Sequence, residues 1–215
     1  MMDFIRYLRL LIIMSIVMML SGCGDSDRAF DFGEVRGDTY INEYFGLSMK
    51  FPKGWHTQTK TQMDTLRARH AGADIPPVKP TKLSELSSAT LLMICKYAGD
   101  TFFDFNPTLS IQIEKISPRS NTQTSRDYLR NAQKMLRRST LQHEVEDSIH
   151  REVLGTEDFD LLHSTITSGS FPVYQDYYSA LMHGFCFSFI LTYAGEEGHQ
   201  ELKEIMSSAV FRHKK

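Results

Sequence analysis

Two apolar-rich runs near the C-terminal end, Val173–Met182 and Phe185–Tyr193, are separated only by His183 and Gly184. A link that short, with a glycine at its end, forces the runs to pair antiparallel as a hairpin. Similar strand signals precede the pair. Leu47, Met49 and Phe51 alternate with Ser48 and Lys50, the period of a half-buried strand, before Pro52 and Gly54 end it. Leu91–Tyr97, Leu109-Ile111-Ile113, Glu152–Thr156 and Phe159–Thr167 carry the same signal.

Two segments have helical spacing instead. Between Thr124 and Arg138, the residues Tyr128, Leu129, Ala132, Met135 and Leu136 form one apolar stripe, with Thr124 or Ser125 as cap and Arg137 and Arg138 at the negative end of the dipole. A second helix starts at Glu196 and Glu197 and offers Leu202, Ile205 and Met206 to the core. Strands in hairpin order with few helices predict an antiparallel β-sheet packed by helices, the α+β class. His56–Thr90 is too long for an ordinary connection and contains Ile75-Pro76-Pro77-Val78-Lys79-Pro80. It reads as a long, mobile insertion, a binding lid being the alternative, with a short helix over Gln62–His70. Trp55 is expected to close one end of the core.

The N-terminus is an address. Arg6 and Arg9 precede an apolar stretch from Leu10 to Leu20 broken only by Ser15, and Leu20-Ser21-Gly22-Cys23 follows. A basic start, a short apolar run and small residues at a cut site make a secretory signal, whereas crossing a bilayer takes roughly 20 apolar residues. Leu20-Ser21-Gly22-Cys23 resembles the lipobox of bacterial lipoproteins. The resemblance implies that residues 1–22 are removed, that Cys23 is acylated, and that the chain meets the lipid bilayer through that lipid. Gly24 stands where an aspartate resembles an inner-membrane retention signal, which points to the periplasm-facing leaflet of the outer membrane. Residues 23–38, small and polar, read as a flexible tether, with Phe30 and Phe32 as the apolar exceptions. Loss of Asp3, Arg6 and Arg9 moves the net charge from −2 to −3, a near-neutral balance that argues against nucleic-acid binding.

Tyr40-Ile41-Asn42, Phe45-Gly46-Leu47 and Phe51-Pro52-Lys53-Gly54-Trp55 are similar to the start of PsbP-like domains, a group that includes the DcrB-like lipoproteins. Gln175-Asp176-Tyr177-Tyr178, Leu191-Thr192-Tyr193 and Ser207-Ser208-Ala209-Val210-Phe211 resemble that group's last hairpin, helix and short strand. The resemblance implies a single domain over residues 39–215, an α/β/α sandwich, and action as an assembly or interaction factor without catalysis. Residues 56–90 depart from the compact pattern.

Catalytic motifs are thin. The sequence holds no Gly-x-Ser-x-Gly elbow, no phosphate loop and no His-Glu-x-x-His pair. His143 with Glu144, Glu146 and Asp147 is the closest approach to a metal cluster and reads as a solvated acidic loop; His163 reads as a satisfied core histidine and His183 as a turn residue. No metal or other cofactor is expected. Arg126, Arg130, Lys134 and Arg137 share one helix face, either as a solvated stripe or as an anionic docking surface. Cys95 and Cys186 read as buried thiols, with one disulfide as the alternative that an oxidising envelope permits. Together these features predict a membrane-tethered, non-catalytic envelope module with a protein partner. The rivals are a small-ligand or lipid carrier, with a pocket lined by Phe185, Phe187 or Phe189 under residues 56–90, and an envelope enzyme.

Overall fold

A computed structural model describes residues 29–60, 62–63, 82–98, 105–167 and 169–212. The signal, Cys23, the start of the tether and most of the long insertion lie outside the described residues. Met1–Phe30 with Lys79–Leu86 forms one unit, in which Ala29 bridges Lys82 antiparallel and Glu85 N–H donates to the Lys82 carbonyl. Asp31–Val78 with Ser87–Lys215 forms the other, and it holds every strand and helix named below.

Its small sheet joins β1 (Glu34–Arg36), β2 (Thr39–Asn42), β3 (Leu47–Lys50) and β12 (Val210–Phe211) in the order β1-β2-β3-β12. Gly46 permits the last pairing. Its φ is +63°, its carbonyl accepts from Arg212 N–H at 2.9 Å, and a Cβ there would sit 2.2 Å from the Arg212 carbonyl oxygen. The large sheet contains β4 (His56–Thr59), β5 (Ser88–Cys95), β6 (Thr108–Lys115), β7 (His143–Val145), β8 (His150–Leu154), β9 (Glu157–Ile166), β10 (Val173–Met182) and β11 (Phe185–Tyr193). Its order is β4-β5-β6-β11-β10-β9-β7, with β8 also paired to β9. The hairpin forms as expected, with Met182 opposite Phe185 and both link residues at positive φ, 52° for His183 and 81° for Gly184, the twist that two-residue hairpin links favour.

Helix α1 (Ser125–Leu136) lies on one face of the large sheet; α2 (Glu196–Ser207) and the small sheet cover the other. On that second face the Phe187 ring meets Phe45 at 5.0 Å, Phe189 at 5.2 Å and Phe211 at 6.0 Å between centroids. Aromatic pairs at such spacings contribute about 0.5–1.5 kcal/mol each beyond the area they bury. Phe185, Phe187 and Phe189 are at most 2% exposed, so the lining expected of a ligand pocket is instead a filled core.

Several boundaries differ from the sequence expectation. The ordered body begins before Thr39, because β1 pairs with β2 inside the stretch read as tether. His56–Thr59 is paired to β5 and Ser88 opens β5, so the long connection spans residues 60–87. Lys60, Gln62 and Met63 are helical, and the rest of Gln62–His70 lies outside the described residues. Trp55 is half-buried at the rim of an open cavity of about 460 Å³ with Phe51, Pro52 and Lys53, rather than sealing the core. Cys95 and Cys186 are free. Their partners Thr108 and Glu114 stand six residues apart along β6, about 20 Å at strand rise, far beyond disulfide reach. Among the described residues, no helix is long and apolar enough to cross a membrane.

Candidate functional site

Asp176 is a carboxylate in the middle of a core face, at 1% exposure. Strand alternation puts it there: Asp176 pairs with His163 on β9 and with Leu191 on β11, on the face that carries Tyr178 and Phe189. Such burial is tolerated only when donors surround the carboxylate. His163 Nδ1 lies 2.6 Å from Oδ1, and the Tyr193 hydroxyl donates to both oxygens at 3.2 Å. His199, on the first turn of α2, stacks on Tyr193 at 4.3 Å and brings Nε2 to 3.1 Å from Oδ2, within ion-pair distance but off the hydrogen-bond axis. The bond to Asp176 raises the His163 pKa above the usual histidine value, against the opposing effect of burial. Burial, followed by the Asp176 charge, pushes the Tyr193 phenol upward.

His163 also has an outer side, where two more groups converge. Glu146, just past β7, and His150, which opens β8, each place a ligand-type atom within 4.8 Å of the other and of His163. His150 Nε2 and Glu146 Oε1 are 3.1 Å apart, and the imidazole holds the Glu146 carboxyl below its ordinary range. The backbone fixes this corner. Glu146 N–H donates to the His163 carbonyl at 3.1 Å, and the Gln133 side chain on α1 donates to the Glu146 carbonyl at 2.6 Å.

The residues around His143, read as a solvated acidic loop, open with the strand His143–Val145 and divide between two faces. His143 points to the opposite face, where Nδ1 meets Ser164 Oγ at 2.9 Å and burial lowers its pKa. Asp147 is taken by Arg137 at 2.6 Å. Only Glu146 of that group joins a site, and it does so with His150 and His163. His163 is satisfied at one nitrogen, as a core histidine would be, yet its side chain is 41% exposed. His183 is in the turn.

The basic stripe divides too. Arg126 Nε and Nη2 bond Asp160 Oδ1 at 3.2 and 2.9 Å, and Arg137 Nη2 bonds the Val145 carbonyl at 3.1 Å as well as Asp147. Both tie α1 to the large sheet and its loop. Arg130 and Lys134 are exposed on the helix. On the other side of the helix, Ile116, Tyr128, Ala132, Met135, Leu136 and Tyr177 line an open groove of about 400 Å³, with Met135 73% exposed. The apolar stripe of α1 therefore reaches the surface, and only Leu129 and Gln133 of this helix are buried. Cys186, on the same sheet face, is 1% exposed and burial pushes its thiol up to about 12, which makes it unreactive.

Two helices on opposite faces of an antiparallel sheet, closed by a short C-terminal strand, define the PsbP-like α+β class. The chain is similar to the solution structure of cyanobacterial PsbP (CyanoP) from Synechocystis, with 15% identity and a TM-score of 0.50 over 90% of this chain and 99% of that one. A crystal structure from Bacteroides thetaiotaomicron matches 84% of the chain at 12% identity and a TM-score of 0.47; the chain spans 50% of that protein's length. LpqN of Mycobacterium tuberculosis, described as involved in cell envelope biogenesis, matches 78% of the chain and 83% of its own at 11% identity and a TM-score of 0.43. No protein-family model and no curated protein matches the sequence.

Proposed function

We propose that this chain is a membrane-tethered, non-catalytic interaction module of the cell envelope, anchored by acylated Cys23 in the periplasm-facing leaflet of the outer membrane. The observation that carries the proposal is the exposed strip of α1. A groove lined by Ile116, Ala132, Met135 and Leu136, with Glu114 and Lys115 at its wall, lies open, and Arg130 and Lys134 are exposed on the opposite side of the same helix. Exposed apolar surface rimmed by charge is the usual mark of a protein contact. Its chemistry suits an envelope partner that presents an apolar side chain to the groove and carboxylates to the charged side of α1. A tether at Cys23 raises the effective concentration of weak contacts, so modest affinity suffices. The carrier alternative, with a ligand beneath residues 56–90, loses its expected lining, because the phenylalanines of β11 fill the core.

Two measurements test the proposal. Cys23→Ala is expected to move the protein from the membrane fraction to the soluble one, and continued membrane retention would refute acyl anchoring. A photocrosslinker placed at Met135 in intact cells is expected to capture a defined partner, whereas one at exposed Val153 on β8 should not.

A further inference from the structure

We propose that Glu146, His150 and His163 bind one divalent transition-metal ion of the zinc class. Imidazole and carboxylate are the donors that such ions take, and two histidines with one glutamate form a three-ligand set with a fourth position free. Spacing supports the assignment. Zinc bonds of about 2.0–2.2 Å in tetrahedral geometry hold neighbouring donors about 3.3 Å apart. His150 Nε2 and Glu146 Oε1 already stand at 3.1 Å, and all three donor atoms fall within 4.8 Å of one another. Small side-chain rotations close the remainder, since the His150 and His163 rings are 5.7 Å apart between centroids.

Orientation is the stronger support. A metal-ligating histidine ordinarily gives its second ring nitrogen to a carboxylate, which fixes the tautomer and raises ligand basicity. His163 has that arrangement: Nδ1 is held by buried Asp176 at 2.6 Å, which leaves Nε2 as the nitrogen available to an ion. Asp176 is in turn locked by Tyr193. Glu146 is held at both backbone polar groups, by the His163 carbonyl and by Gln133, so its carboxylate leaves from a fixed point. A first set of ligands carried on or next to paired strands and oriented by a buried second set is what distinguishes a built site from a chance surface cluster. His150 and Glu146 are exposed, so the fourth position faces solvent.

The test uses the full chain without an affinity tag, purified in detergent. Zn²⁺ titrated by calorimetry is expected to saturate at one ion per chain, and Co²⁺ to give the intense visible bands of four-coordinate cobalt. His150→Ala, at a surface position that the fold does not need, should weaken Zn²⁺ binding at least tenfold and abolish those bands. Asp176→Asn should weaken it about 10–100-fold by removing the orienting carboxylate. His143→Ala, on the opposite face, should leave affinity unchanged. Absence of saturable binding at one ion per chain, or equal affinity in His150→Ala and the unaltered protein, would overturn the proposal. Neither result depends on the tether or the α1 groove.

Discussion

The two helices look alike in the sequence, both twelve residues long and both amphipathic, yet the protein uses them differently. Helix α2 puts Leu202, Ile205 and Met206 at 0–2% exposure against the aromatic core. Its start is capped only by Gly195, with no side-chain bond, so packing holds it. Helix α1 buries Leu129 and Gln133 alone and is held by polar ties: Ser125 and Arg126 to Asp160, Tyr128 to Glu114, Gln133 to the Glu146 and Asp147 carbonyls, and Arg137 to Val145 and Asp147. A capping box between Thr124 and Asp127 adds local support, a device worth about 1 kcal/mol. An apolar stripe thus serves as glue in one helix and is left for use in the other. Directional ties also fix position, since the Gln133 bond that seats α1 is the one that seats Glu146.

The largest effect should come from breaking the packed helix. Leu202→Ala removes a fully buried side chain and is expected to cost about 2–5 kcal/mol in urea unfolding. Met135→Ala, at 73% exposure, should stay within about 0.5 kcal/mol of the unaltered protein. Equal losses would mean that the helices are used alike.

A smaller effect should come from cutting the ties of α1. Asp160 is the central acceptor, taking Ser125 Oγ at 2.6 Å and two guanidinium nitrogens, and it retains 14% side-chain exposure. Asp160→Ala should cost about 1–3 kcal/mol, the range for a partly buried charge-assisted group and the donors it leaves behind. The loss should be local. Faster amide exchange is expected across residues 125–136, with residues 196–207 protected as before. Uniform acceleration through both helices would show that α1 belongs to the same cooperative core as α2.

Much of this contrast could be read from the sequence, and some could not. The β10–β11 hairpin was legible because alternation and turn chemistry are local, and both helices were legible from their spacing. The strands the sequence hid are β1, β2, β4 and β7, and all but β2 terminate a sheet. Edge strands are short and polar, as in His56-Thr57-Gln58-Thr59 and His143-Glu144-Val145, and their form is imposed by the neighbour they pair with. Periodicity also says which side chains share a helix face but not whether anything covers that face, so the exposure of the α1 stripe was not legible. The candidate metal set was hidden for a related reason. His150 and His163 are neighbours only through the β8–β9 register, in which His150 opposes Leu161, two residues along the same face from His163. Counting back from the turn at Gly155-Thr156 was the signal that could have paired them. Adjacency in sequence favoured His143, which strand alternation sends to the other side.

The smallest effect on stability, and the most informative one for function, should come from Arg130 and Lys134. Reversal of all four basic residues would confound two roles, because Arg126 and Arg137 are structural ties. Arg130→Glu with Lys134→Glu leaves those ties intact and alters only exposed side chains, so the unfolding midpoint should shift within the range of ordinary surface changes, about 0.5 kcal/mol or less. For a partner that wraps α1 from the groove to its charged side, capture through a crosslinker at Met135 should nonetheless fall several-fold, and more steeply at low salt than at high salt, since exposed charges are screened over about 8 Å at physiological ionic strength. Retention of capture at every salt concentration would leave the groove as a purely apolar contact and remove the two cations from the docking surface. Loss of stability in this variant would instead move Arg130 and Lys134 into the set of ties that hold α1, and the contrast between the helices would then rest on Met135 and Leu136 alone.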